Sequence, residues 1–187
     1  SPVKHEHDQI RGVPCYDKVM ESLEIARSLG EKPDILLTVT EANSHHLPAM
    51  IKFVQNRKLI LLTNPVFSYF QNTPSSNEVL LTLSEAAKAP YVYVNRGIVK
   101  FMLSGGNQVS NPRCKAFTTS LVISPENELL LPCYHFTTQK YAINGELYQL
   151  VRSKKLQQWK KKEGRLDACE GCTISCYFDP SFTYGLD

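Results

Sequence analysis

Apolar residues recur at helical spacing through residues 16–29, where Tyr16, Val19, Met20, Leu23 and Ala26 share one face. Asp17 in the first turn complements the helix dipole, and Gly30 is a natural stop. The pattern then changes. Residues 34–40 form a short apolar run that ends in hydroxyls, which predicts a buried strand. Asn43-Ser44 offers a cap for a second helix from about Leu47 to Asn56, with Leu47, Met50, Ile51 and Val54 inward. Leu59-Ile60-Leu61-Leu62 is the next strand, ended by Thr63-Asn64-Pro65. Residues 77–89 predict a helix through Val79, Leu80, Leu83 and Ala87, stopped by Pro90. Tyr91-Val92-Tyr93-Val94 is strand-like in its β-branched and aromatic content. A short helix over about 96–103 leads to Ser104-Gly105-Gly106-Asn107, read as a flexible turn. Helix and strand alternate with short connections, so the fold class expected is α/β, with parallel strands and helices packed outside them. In such sheets ligands sit beyond the carboxyl ends of the strands, which puts Thr38, Thr40, Asn43, Thr63 and Asn64 on the functional rim.

The style changes near residue 110, which divides the chain into domains 1–109 and 110–187. Thr118 to Ile123 predicts a strand, Ser124 to Glu128 a turn, and Leu129 to Leu131 the return strand. Cys114 precedes this hairpin and Cys133 closes it, so the hairpin brings the two toward each other. Glu146 to about Lys162 reads as one helix with Leu147, Leu150, Val151 and Trp159 apolar, and a cysteine triplet follows.

Composition narrows the class. With 187 residues, 42% of them hydrophobic and 21% charged, the chain can build a sizeable core and is not disordered. No apolar run reaches about 18 residues, so no membrane-spanning helix is expected. The start has no apolar signal region and lacks Met, and it points to a segment upstream. The net charge of +3 is small. Lys and Arg cluster between Arg152 and Arg165, and a solvated helix face is favoured there over a patch for nucleic acid or an acidic partner. Neither a membrane nor a nucleic-acid partner is expected.

Five of the six cysteines lie in the tail half: Cys114, Cys133, Cys169, Cys172 and Cys176. With no secretory signal, reduced thiols acting as metal ligands in the cytoplasm are favoured over disulfides. Cys15 stands alone and reads as a helix-entry or core residue. A Cys-x2-Cys turn directs two thiolates at one centre, and the hairpin supplies two more. Four thiolates around one centre fit a [4Fe–4S] cluster or structural zinc, and the spacing does not separate these. Cys114, Cys133, Cys169 and Cys172 make the simplest set, with Cys176 a replacement or a spare. His135 is a candidate alternate ligand, while Tyr134, Tyr177, Phe178 and Phe182 are candidates to shield the centre from water. His45-His46 diverge on a helix and read as surface or cap residues, and His5 and His7 as a solvated stretch.

The run Cys114-Lys-Ala-Phe, then Val122-Ile123-Ser124-Pro125-Glu126-Asn127-Glu128-Leu129, then Leu131-Pro132-Cys133, with Cys169-Glu-Gly-Cys172 further on, resembles the auxiliary-cluster domain of radical S-adenosylmethionine enzymes. That domain is called SPASM with two clusters and Twitch with one, and the cysteine number here suits Twitch. His7-Asp8, Arg11-Gly12 and Gly30 resemble a segment of the family's partial barrel. Thr38-Val-Thr40-Glu-Ala-Asn43 resembles its strand edge that contacts the cofactor.

The resemblance implies the C-terminal part of a partial (β/α)6 TIM-like barrel followed by a small α+β cysteine-rich domain. It implies an auxiliary [4Fe–4S] cluster on the tail cysteines, and S-adenosyl-L-methionine at Thr38, Thr40 and Asn43 in the intact enzyme. It implies oxidoreductase or modifying chemistry on a peptide or small molecule, with an electron donor such as flavodoxin or ferredoxin. The family's Cys-x3-Cys-x2-Cys loop is absent, so the chain alone is expected to be inactive and its catalytic residues are not assigned. The alternative is a zinc-stabilised binding module whose basic helix contacts nucleic acid or protein.

Overall fold

The computed structural model describes residues 1–67 and 74–183. It is a mixed α/β structure with one parallel and one antiparallel sheet, each three-stranded. The chain divides into two compact units. The first comprises Ser1–Val66 and Ser75–Val99, and the second takes Lys100 onward with Phe67 and Pro74.

In the first unit, α1 (Lys4–Arg11) and α2 (Tyr16–Ser28) lead to β1 (Ile35–Val39). Then come α3 (Leu47–Arg57), β2 (Leu61–Pro65), α4 (Asn77–Ala86) and β3 (Val92–Val94), and α5 (Arg96–Leu103) follows. The strands lie in the order β1-β2-β3 and are all parallel, with Ile35 opposite Leu61 and Leu61 opposite Val92. Parallel pairing follows from the sequence order: each short connection carries a helix that returns the chain to the same end of the sheet. The inward stripes of α3 and α4 pack on the sheet, burying Leu47, Met50, Val54, Val79, Leu80 and Leu83. The sheet contributes Val39, Leu61 and Val94 to the same interior.

Two local expectations change. The N-terminal stretch is a helix, α1, closed by Gly12 in the left-handed region at φ 70°. Asn43 does not cap α3. Its side-chain Nδ2 donates to the Thr38 carbonyl (2.9 Å) and its Oδ1 accepts from the Thr40 N–H (2.8 Å). The amide is thus spent on the end of β1, and a 3₁₀ turn over Ser44–His46 precedes α3.

In the second unit, α6 (Ala116–Thr119) precedes β4 (Val122–Ile123), β5 (Glu128–Leu131) and β6 (Gln139–Ala142), which pair antiparallel in that order. Asn127, at φ 61°, takes the tight turn of the β4–β5 hairpin. Then follow α7 (Leu147–Arg152), α8 (Lys154–Gln157), 3₁₀ turns at Gln158–Lys162 and Asp167–Cys169, and α9 (Ser175–Thr183). Phe117, Leu129, Leu131, Ile143, Leu156 and Trp159 form a buried apolar cluster.

Two readings are corrected in this unit. Residues 118–119 belong to a helical turn and not to a strand. The buried Glu163 carboxylate accepts from both the Thr118 N–H and its hydroxyl, and so holds that turn. The helix expected over 146–162 breaks at Ser153, which is extended at ψ 145° and whose hydroxyl accepts from the Leu156 N–H to start α8. The two compact units divide at Val99–Lys100, and Asn107 of the second unit is hydrogen-bonded to the tail turn. Strand β6 and helix α9 were not foreseen.

No helix among the described residues is long and apolar enough to cross a membrane. Leu129 is fully buried in the antiparallel unit, whereas Leu36 is 65% exposed. Leu129→Ala is expected to destabilise that unit by about 2–5 kcal/mol, and Leu36→Ala to change stability by at most about 0.5 kcal/mol. Denaturant titration of both variants checks the contrast.

Candidate metal centre

Four of the tail cysteines come from three separate stretches of chain. Cys114 stands just before α6, and Cys133 stands just past the end of β5. Cys169 ends a 3₁₀ turn, and Cys172 follows Gly171, whose φ of 68° suits glycine. The Cys172 N–H donates to the Cys169 carbonyl at 3.2 Å, so this Cys-x2-Cys is a closed turn. All four residues line one small cavity of about 20 Å³. Its remaining walls include Ala116, Phe136, Ile174, Tyr177 and Phe178, a mostly apolar lining. Cys176 is exposed on α9 and lies outside that lining.

Burial is the leading influence on these thiols. It pushes Cys114 up to about 12 and Cys172 up to about 11. Cys133, Cys169 and Cys176 move upward for the same reason. The neighbouring cysteines add to the shift of Cys114, since a second negative sulfur nearby disfavours ionisation. The set therefore stays protonated near neutral pH, and any metal it takes must displace protons. Among the described residues, no three of these sulfurs lie within 4.8 Å of one another. One tetrahedral zinc, with Zn–S of about 2.3 Å, holds its sulfurs only about 3.8 Å apart.

The aromatic residues divide. Tyr177 and Phe178 are buried at the cavity wall, and Phe178 stacks on Phe101 with ring centres 4.2 Å apart. Tyr134 is 54% exposed, but its N–H donates to the Tyr177 hydroxyl oxygen at 3.0 Å. Phe182 packs on Phe101 and Phe178 rather than lining the cavity. His135 lies outside the lining, its ring edge-on to Tyr177 at 5.7 Å. Burial lowers its affinity for a proton. Several cations of the basic segment rest on rings of their own unit: Arg152 on Tyr148, Lys155 on Tyr141 and Lys162 on Trp159.

In the parallel unit, the rim residues gather at the carboxyl end of β1. Thr38 lies opposite Asn64 in the ladder, and Leu37 lies opposite Thr63. Thr63 is buried, and its hydroxyl donates to the Tyr93 carbonyl at 3.2 Å. Thr38 and Asn43 border an open hollow shared with His7, Arg11 and Tyr16, whereas Thr40 does not. His7, Asp8 and Cys15 bring ligand-type atoms within 4.8 Å of one another. Their convergence has a structural cause: Asp8 Oδ1 accepts from the Cys15 and Tyr16 N–H groups at 2.9 and 2.7 Å, capping the start of α2. His46 carries the Glu6 carboxylate at 2.5 Å, which ties α1 to the turn before α3.

Sequence reasoning missed Asn107, which is fully buried beside the cysteine cavity. The available signal was the Gly105-Gly106-Asn107 turn just upstream of Cys114.

The upward shifts of the thiols carry a pH dependence. A thiol held above its ordinary value of 9.0 favours the folded metal-free chain while it stays protonated, and this contribution disappears as pH rises toward about 12. The melting temperature of the metal-free protein is therefore expected to be level below about pH 8 and to fall from about pH 9 upward. A Cys114→Ser, Cys172→Ser double variant should show a shallower alkaline fall in the same calorimetric series.

No protein-family model matches the chain, and no solved structure does. Over 69 residues it is 41% identical to a protein of Archaeoglobus fulgidus described as an uncharacterized protein. That alignment takes in 35% of this chain and 16% of the relative, so the chain spans a small part of the relative's length.

Proposed function

We propose that the chain is the C-terminal part of a radical S-adenosylmethionine enzyme, whose tail unit holds one auxiliary [4Fe–4S] cluster in the Twitch manner. The carrying observation is that Cys114, Cys133, Cys169 and Cys172 line a single apolar cavity. The donor set suits the group: four thiols from three stretches of chain around one apolar cavity. In this reading Cys176 is the spare thiol. The parallel unit is the closing part of a partial barrel, with Thr38 and Asn43 bordering the hollow that would receive S-adenosyl-L-methionine and Thr40 at the same rim outside that lining. The substrate is a peptide or small molecule, and the electron donor is of the flavodoxin or ferredoxin type.

When bound, the auxiliary cluster supplies one-electron transfer or an iron-centred anchor for substrate. The chain's own residues do the rest. Ile174, Tyr177 and Phe178 keep bulk water from the sulfurs, which tunes a cluster's potential. The Tyr177 hydroxyl, held by the Tyr134 N–H, fixes its ring at the wall.

Anaerobic reconstitution with iron and sulfide tests this reading. A brown protein with broad absorption at roughly 400 nm and about four irons per chain is expected. Cys172→Ala should lose most of that iron, while Cys176→Ala should keep it. A colourless protein holding one zinc ion would replace this reading with the zinc module.

The 187 residues contain no Cys-x3-Cys-x2-Cys run. A cluster with four cysteine ligands leaves no iron open for the cofactor's amino and carboxylate groups. The reconstituted chain, incubated with dithionite and S-adenosyl-L-methionine, should therefore give no 5′-deoxyadenosine above a protein-free control. Turnover that disappears in Cys172→Ala would make the tail cluster the catalytic one.

A further inference from the structure

A primary amide has two N–H donors and an oxygen that accepts twice, and burying one unsatisfied is costly. Asn107 is fully buried, and all four positions are met by backbone. Its Nδ2 donates to the carbonyls of Gly164 (2.8 Å) and Cys169 (3.0 Å). Its Oδ1 accepts from the N–H groups of Arg113 (3.0 Å) and Cys114 (3.3 Å). Its main chain adds two more bonds, the N–H to the Cys172 carbonyl (3.0 Å) and the carbonyl from the Gly171 N–H (2.8 Å). One residue thus holds the backbone at three of the four cavity cysteines.

Two glycines let the strands of chain come this close. A Cβ on Gly106 would sit 2.7 Å from the Gly171 oxygen and 2.9 Å from that of Cys172. A Cβ on Gly164 would sit 3.0 Å from the Cys114 Cβ and 3.2 Å from Asn107 Oδ1. Both also have positive φ, 80° and 66°. A side chain at Gly106 would push its stretch off the Cys169–Cys172 turn, and one at Gly164 would push that bend off Cys114 and Asn107.

We propose that Asn107 is the positioning residue of this centre. Its amide clamps the Cys114 backbone to the Cys169–Cys172 turn, so that the thiols are assembled before a metal arrives. The inference rests on the cluster reading above for its consequence, but the clamp itself belongs to the metal-free chain. The chemistry of the residue is specific. Aspartate at 107 would turn a carboxylate oxygen toward the Gly164 and Cys169 carbonyls, replacing two attractions with repulsion. Glutamine keeps the groups but carries them one methylene too far.

The test compares wild type, Asn107→Asp, Asn107→Gln and a core control, Leu156→Ala, which weakens the same unit in the apolar cluster led by Phe117 and Leu129. Two measurements are made on each. The first is capture of a trivalent arsenical by the metal-free protein, which requires thiols already close together. The second is the rate at which a chelator strips iron from the reconstituted protein, together with the low-temperature electron paramagnetic resonance spectrum of the reduced form.

Both Asn107 variants should capture the arsenical more weakly and lose iron about 10–100-fold faster, with an altered spectrum. Leu156→Ala should melt earlier yet keep wild-type capture and spectrum. If Asn107→Asp does not fold, Asn107→Gln carries the comparison. Wild-type capture and wild-type iron retention in a folded Asn107 variant would overturn the proposal. Wild-type protein that takes no iron, with arsenical capture still dependent on Asn107, would end the cluster reading and leave the clamp standing.

Discussion

Buried backbone polar groups must find partners, and around the cysteine cavity the Asn107 amide supplies them. The stretch from Gly106 to Cys114, the Gly164 bend and the Cys169–Cys172 turn are each irregular, and their few local bonds leave further backbone groups to be met from outside. Asn107 meets four of these groups with its side chain and two with its main chain. Further bonds reinforce the same junction. The Val109 N–H donates to Glu170 (2.7 Å), and the Lys115 N–H donates to the Ser181 hydroxyl (2.8 Å). The apolar cluster of Phe117, Leu129 and Leu156 supplies the burial that stabilises this unit. The polar junction decides where its cysteines point.

The parallel unit follows a different logic. Its strands are short, and their alignment comes from helices that bury one stripe each against the sheet. The rim at the end of β1 is stiffened by its own side chains. Asn43 bonds to the strand it follows, and the Glu41 carboxylate accepts from the Ser76 N–H at 2.7 Å at the start of α4. Much of the rim's polar capacity is therefore used within the fold. What stays open is the hollow beside Thr38, bordered by His7, Arg11 and Tyr16.

Burial keeps the thiols of the cavity neutral, so any metal taken there must displace their protons. Neutral buried thiols cost the metal-free chain little, whereas four thiolates without a cation would repel one another in an apolar pocket.

The sequence by itself determined the α/β rhythm of the first half, since periodic stripes such as Val79, Leu80 and Leu83 depend only on local spacing and burial. It also marked the β4–β5 hairpin and the Cys-x2-Cys turn, because Asn127 and the cysteine spacing are local signals. It could not determine the break at Ser153, the helical turn at Thr118 or the role of Asn107. Each of these depends on a partner far along the chain or on competition between nearby bonds. Glu163 reaches Thr118 across 45 residues, and Asn107 reaches Cys169 across 62. Periodicity carries no information about contacts at that separation. That Cys176 stays outside while the other four tail cysteines share one cavity rests on contacts that form when the chain folds.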